Sequence, residues 1–282
     1  MRQRFPVPLL VALFAAALAL VPPAFAQAPD DEAPVSQCLA VAQGLPNVIY
    51  ASTDSGPLSV DGDVTITFAG HSTYRIETPA GVTIATDYSG VYGHTPTPRV
   101  ITMNRAHSTH YTLNPDPAIE YVFAGWDETS PDGADHDAVI DDVYIRNVTT
   151  DIRRWGSGGL SANQNSIFIF EVAGLCIGHL GHLHHALTED HYAMIGRLDI
   201  LMVPVDGGLT LSHEGMAEIT TRLRSSIVLP MHLRGRVIDR FIDLMGADWS
   251  VDFLDGDEIV VNVRSLPRRP TIMVPHSLAS RG

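Results

Sequence analysis

The 282-residue chain contains no lysine: all 18 of its basic residues are arginines, against 32 acidic ones. That absence excludes a Walker-type phosphate-binding lysine, a Schiff-base lysine, a kinase-type lysine and a Ser-x-x-Lys nucleophile. Positive charge of any kind is scarce, and the formal net charge is −14. Nucleic acid or an anionic membrane would need a basic footprint, so neither is an expected partner, whereas a small molecule or a metal ion is. Only two cysteines stand against 13 histidines, which tilts any metal site towards imidazole. Apolar residues are plentiful at 45%, enough for a sizeable core.

Arg2 and Arg4 precede an unbroken apolar run over residues 9–21, and Ala24-Phe25-Ala26 is a small-x-small cleavage signal, so residues 1–26 read as a secretory signal peptide. The run is shorter than the ~20 residues that span a bilayer, and no later run is longer, so no stable membrane anchoring is expected after cleavage. The expected location is periplasmic or secreted. Residues 27–60 read as a flexible lead-in with a short helix near 37–43, and residues 61–282 as one α/β domain. Export would place Cys38 and Cys176 in a disulfide-permissive space. The two can pair and tie down the lead-in, or Cys176 can remain a small buried hydrophobe inside the apolar run 173–177.

From residue 63 onward β-branched and polar residues alternate. Strands are expected at 64–68, 74–78 and 82–86, then at 100–103, 121–126 and 139–148, with an acidic loop over 129–137. Two strands should flank Ala173-Gly174 within 166–177, and others lie at 200–205 and 227–231. Met216, Ile219 and Leu223 share one face of an expected helix over 212–224, with Ser212 as N-cap. A second helix is expected over 237–245, and strand returns over 251–263 around an Asp255-Gly256 turn.

The informative pattern lies at the ends of the apolar runs. The run at 66–68 leads to His71, 84–86 to Asp87, 101–103 to His107 and His110, 175–177 to His179 and His182, 203–205 to Asp206, and 227–231 to His232. If those ends share one sheet edge, imidazoles and carboxylates gather in one cleft, where α/β ligand sites commonly lie. Imidazole offers a lone pair near neutral pH, and a partner on its other nitrogen fixes its geometry. Converging histidines therefore indicate a metal site, while His71, Asp87 and Asp206 are each open to metal support, substrate contact or plain structure. His184 and His185 either extend the cluster or lie at the surface. His94, His136, His191, His213 and His276 are read as ordinary.

Phe68-Ala-Gly-His-Ser-Thr-Tyr74, Arg105-Ala-His-Ser-Thr-His110, His179-Leu-Gly-His182 and Pro230-Met-His232 occur in an order that resembles the metallo-β-lactamase fold superfamily. The resemblance is to its branch of metal-dependent hydrolases related to ascorbate-phosphate lactonase, and it runs from about residue 64 to 232. It implies an αββα sandwich holding one or two metals, usually zinc, between its sheets, with His107, His110, His179 and His232 at ligand positions. Three positions depart from the family pattern. Arg105 replaces a histidine and cannot ligate, while Thr109 and His182 each replace an aspartate. His110, His182 and His232 remain as a three-histidine set with an open position. One zinc ion is thus expected rather than two, with iron or manganese as alternatives.

The implied reaction is metal-assisted hydrolysis of a small ester, lactone, amide or phosphoester by a metal-activated water. Asp87, Asp206 and Arg105 are the expected catalytic residues. The aspartates would manage protons, and Arg105 would pair with a carboxylate or phosphate of the substrate or else make a structural ion pair. The alternatives are a metal- or ligand-binding protein that keeps the fold without turnover, and an iron oxidoreductase.

Overall fold

The computed structural model describes residues 36–42, 61–154, 156, 158–232 and 238–280. The expected signal peptide and most of the lead-in lie outside the described residues. In chain order the elements are α1 (Gln37–Ala42), β1 (Val64–Gly70), β2 (Thr73–Glu77), β3 (Thr83–Ala85), β4 (Val100–Met103), β5 (Tyr121–Ala124), β6 (Asp137–Ile140), β7 (Val143–Arg153), β8 (Leu160–Val172) and β9 (Leu175–His179). They continue with α2 (Glu189–Ile195), β10 (Ile200–Pro204), α3 (His213–Leu223), β11 (Ile227–Met231), α4 (Ile238–Met245), β12 (Ser250–Phe253), β13 (Glu258–Val261), β14 (Thr271–Val274) and α5 (His276–Ala279).

The strands form two sheets, ordered β13-β1-β2-β3-β4-β5 and β12-β14-β11-β10-β9-β8-β7-β6. In β1, Val64, Ile66 and Phe68 are buried while Thr65 and Thr67 are half-buried, the period-2 pattern of a strand with one covered face. The parallel strands β9, β10 and β11 are buried at every position, as strands covered on both faces must be. Residues of both sheets, including Ile66, Ile76, Phe168 and Phe170, share one core with Met216 and Phe241 of α3 and α4. Each fully buried side chain of this size is worth about 1.5–3 kcal/mol.

Ser212 caps α3 by accepting from Gly215 N, and α3 packs on β10 and α4. The 251–263 stretch does not form one hairpin: β12 joins the eight-stranded sheet and β13 the six-stranded one, so the Asp255-Gly256 turn carries the chain between layers. The parallel connections β3–β4 and β4–β5 contain no helix. Pro96, Pro98, Pro115 and Pro117 punctuate them and remove the donors and backbone freedom a helix needs. These loops supply Tyr88, Tyr111 and Ile119 to a smaller apolar cluster with Ala85, Ile101 and Met103.

Cys38 of α1 and Cys176 of β9 form a disulfide, with Cα atoms 6.0 Å apart. Beside it lies Glu171 of β8, only 2% exposed. It accepts from Ser36 Oγ at 2.5 Å, Gln37 N at 2.9 Å and Arg146 Nε at 2.9 Å. The Arg146 guanidinium also donates to the carbonyls of Met194 and Ile195, at the end of α2. One carboxylate thus holds the start of α1 and, through Arg146, the end of α2. The disulfide closes a loop of 138 residues, so a Cys38→Ser/Cys176→Ser variant is expected to lose about 2–4 kcal/mol of stability. Urea unfolding with and without reductant checks this, and wild type under reducing conditions should match the variant.

Candidate metal centre

The ends of strands from both sheets bring five imidazoles together. His71 follows β1, His107 and His110 follow β4, His182 follows β9 and His232 follows β11. The His71 and His232 rings lie 4.2 Å apart, His107 and His110 4.5 Å, His110 and His182 4.6 Å, and His107 and His182 4.9 Å. His71, His107, His110 and His232 can each bring one ring nitrogen within 4.8 Å of the others. His71 is therefore a full member of the cluster, which its sequence position alone left open.

Two buried carboxylates determine which nitrogen is offered. His110 Nδ1 lies 2.6 Å from Asp87 Oδ2, and His232 Nδ1 bonds Asp206 Oδ2. A carboxylate accepts, so both protons sit on Nδ1 and both Nε2 atoms carry bare lone pairs. Those Nε2 atoms are 3.3 Å apart. Two lone pairs at that distance repel unless a cation or proton lies against them. Nitrogens held about 2.0–2.1 Å from a tetrahedral zinc ion are separated by about 3.3–3.4 Å, so the donor pair fits such an ion.

Asp87 is fully buried. Burial alone would raise its pKa, but the neighbouring His110 and His179 and the hydrogen bonds from His110 and Asn104 hold it at about 2. Burial also acts against Asp206. It is outweighed by His232 and by the backbone N–H groups of Gly208 and Thr210, so Asp206 too stays below the carboxylate range. Each aspartate gives one oxygen to orienting a histidine, the metal-supporting alternative rather than proton transfer, while the other oxygen of Asp87 accepts from Asn104 and that of Asp206 from the backbone of residues 208–210.

The other expected residues divide. His179 is fully buried. Its Nε2 faces Ser72 O at 2.9 Å and its Nδ1 accepts from Gly181 N at 3.1 Å, so both nitrogens are occupied and neither is offered to a metal. Arg105 pairs with Glu128 and lies over the Trp126 ring. It makes the structural ion pair rather than facing the cluster. His184 Nδ1 accepts from Arg153 N at 3.0 Å, so its proton is on Nε2, which reaches Leu209 O at 2.8 Å and His182 Nδ1 at 3.0 Å. His182 then carries its proton on Nε2 and donates to His107 Nε2 at 3.2 Å. In this arrangement His182 supports His107 instead of presenting a lone pair. His185 is spent on Asp151 N. Thr109 Oγ1, where the family has an aspartate, lies 2.7 Å from His107 Nδ1 and 2.9 Å from His71 Nε2.

Sequence reasoning missed Asn104. Its side chain donates to Asp87 Oδ1 at 2.7 Å and accepts from Ser166 N at 2.6 Å, joining the end of β4 to β8 across the two sheets. The signal available was its place at the end of the 101–103 run. Gly181 has φ +61, and a Cβ there would meet Asn104 Nδ2 and Asn165 Oδ1 at 2.4 Å. Only glycine lets the turn into His182 pass so close. His71, Asp87 and His232 also have positive φ, at 55°, 44° and 58°, an uncommon state for such residues that clusters at functional sites. The turns at His71 and His232 are tied by His232 N donating to His71 O at 2.7 Å.

The fold and this cluster define a class: a two-sheet α/β sandwich with a histidine cluster at the strand ends that could hold a metal ion. The family described as Beta-lactamase superfamily domain matches residues 65–232, and the chain belongs to that family. No curated protein matches it. Its structure is similar to a candidate Zn-dependent hydrolase of the metallo-β-lactamase superfamily from Thermotoga maritima, with a TM-score of 0.54 at 24% identity, covering 75% of this chain and 97% of that one. A candidate metal-dependent hydrolase from Parabacteroides distasonis gives 0.53 at 14% identity, covering 78% and 96%. A metallo-β-lactamase fold protein from Bacillus subtilis gives 0.50 at 8% identity, covering 76% and 96%. At these identities the similarity shows a shared fold.

Burial, then the neighbouring histidines, holds His71 at about 3 and His107 at about 4, below the ordinary 6.5. Burial and then Arg153 hold His184 at about 4. The unfolded chain takes up protons on these rings below about pH 6.5, and the folded chain does so only near 3–4, so metal-free protein should lose stability as pH falls through that window. A urea midpoint that stays level from pH 7 to 4 contradicts this. For Asp206→Asn, which withdraws the acceptor from His232, about 10- to 100-fold weaker metal binding is expected, measured by competition with a chromogenic chelator.

Proposed function

We propose that this protein is an exported metal-dependent hydrolase acting on a small ester, lactone, amide or phosphoester. The observation that carries the proposal is the pair of bare Nε2 atoms of His110 and His232, facing each other at 3.3 Å within a group of four histidines whose ring nitrogens lie within 4.8 Å of one another. Zinc is the proposed ion, one per chain. The donors are imidazoles, and the oxygens of Asp87 and Asp206 are already taken by His110, Asn104, His232 and the 208–210 loop, so neither carboxylate is free to ligate a second divalent cation. A divalent ion in this group supplies Lewis acidity and lowers the pKa of water.

The chain's own residues supply the rest. Asp87 and Asp206 hold protons at Nδ1 of His110 and His232, keeping both rings in donor orientation. Thr109 sets His71 against His107. A cleft of about 660 Å3 opens beside the cluster, lined by His107, His182, His184, Ile152 and Leu209 among others, a volume that suits a small molecule. No carboxylate lines it, so the groups able to exchange a proton with a molecule there are the imidazoles of His107, His182 and His184. The same lack supports a second reading, a metal-binding protein without turnover.

Export is supported by the charged start, apolar run and small-x-small signal of residues 1–26, and by the Cys38–Cys176 disulfide, which suits an oxidising compartment. Mass measurement of the chain recovered from the periplasm should show cleavage after Ala26, and a full-length cytoplasmic product rejects export. Elemental analysis of protein purified without chelator should give about one zinc per chain. His110→Ala and His232→Ala should each lose the metal together with hydrolysis of an ester, lactone and phosphodiester panel. Full metal retention in both variants overturns the site, while metal without turnover in wild type selects the second reading.

A further inference from the structure

Arg153 ends β7 and Arg154 follows it, and both line the cleft beside His107 and His182. In a chain with 32 acidic and 18 basic residues, this wall carries two guanidinium groups and no carboxylate. Neither arginine has an ion-pair partner among the described residues. Arg153 is pinned: its Nη2 donates to the carbonyls of Gly208 and Leu209 at 3.2 Å and to Thr210 O, the loop whose N–H groups bond Asp206. Arg154 is held by its Nε donating to Ser161 Oγ at 3.0 Å. Its Nη1 and Nη2 have no partner among the described residues. A planar, permanently charged fork with free donors matches a carboxylate or phosphate. Arg105, the arginine that the motif singled out, is spent on Glu128 and Trp126.

We propose that Arg154, with Arg153 fixed beside it, binds an oxyanion of the substrate, placing a carboxylate- or phosphate-bearing small molecule with its scissile bond over His107 and His182. Ile152 and Leu209 line the same cleft and offer apolar contact to the remainder of that molecule. The substrate class is therefore an anionic ester, lactone or amide. This rests on the hydrolase reading for the reaction but not for the binding.

Calorimetric titration of the as-purified protein with benzoate and with phenylphosphonate tests the binding. It should be run on wild type, Arg154→Ala, Arg154→Lys and Arg105→Ala. Wild type should bind at least one of the two anions, and Arg154→Ala should bind it about 10- to 100-fold more weakly, the value of a hydrogen-bonded charge pair. Arg154→Lys should fall between the two, and Arg105→Ala should match wild type. The anion that loses more affinity identifies carboxylate or phosphate as the natural group. In parallel, the kcat/KM ratio of 4-nitrophenyl hemisuccinate over neutral 4-nitrophenyl acetate should fall by a similar factor in Arg154→Ala. Equal anion affinity in wild type and Arg154→Ala, or no binding of either anion by wild type, overturns the proposal. An unchanged ester ratio with turnover intact overturns it too. Anion binding that depends on Arg154, without turnover of any ester, supports the anion site and overturns the hydrolase reading instead.

Discussion

Two hydrogen bonds organise this site: Asp87 to His110 Nδ1 and Asp206 to His232 Nδ1. Each places a proton on the nitrogen that faces the protein and leaves the other nitrogen bare. The result is a pair of converging lone pairs that only a positive charge can relieve. Other features of the site serve these two bonds. Asn104 holds Asp87 from one side, and the N–H groups of Gly208, Leu209 and Thr210 hold Asp206 from the other. Arg153 fastens that same loop through its carbonyls.

Such precision needs rigid strand ends, and the fold supplies them in two ways. The parallel strands β9, β10 and β11 are buried throughout, and Asp206 and His232 emerge where β10 and β11 end. On the opposite sheet, His71 and Asp87 sit in left-handed turns directly after β1 and β3. Such turns are costly for these residues and persist only where surrounding contacts dictate them. The bond from His232 N to His71 O spans the sheets at the centre of the site. At the far end of β9 the Cys38–Cys176 disulfide and the buried Arg146–Glu171 pair anchor α1 and α2. Breaking a buried pair of that kind on one side leaves an uncompensated charge, at about 3–5 kcal/mol.

Much of this was legible in the chain. Alternation marked β1 and β2, unbroken apolar runs marked β9 to β11, and Ser212 marked the start of α3. The histidines and aspartates at run ends were legible as a group because strand ends gather at sheet edges. What was not legible was the task of each member. His179 and His182 belong to one motif, yet one ring is consumed by Ser72 O and Gly181 N while the other hands a proton to His107. His71 stood outside the expected ligand set and joins it because its turn lies against that of His232. Proline placement in the β3–β4 and β4–β5 connections explains why loops carrying Tyr88, Tyr111 and Ile119, rather than a helix, pack on Ala85 of β3 and on Ile101 and Met103 of β4.

The sequence by itself determined the composition of the site: many imidazoles, no lysine, few cysteines, and one aspartate at each of two strand ends. It also determined the α/β class, because the period of an apolar pattern is a local property that the backbone enforces, while the two-sheet sandwich was implied by the family resemblance of the histidine motifs. Only the tertiary structure decided which nitrogen of each ring is free, which aspartate is committed, and that Arg105 turns to Glu128 while Arg154 is left facing the cleft. Those are questions of direction and partner. They depend on contacts between residues far apart in the chain, such as the 122 positions that separate His110 from His232, and sequence spacing carries no record of them.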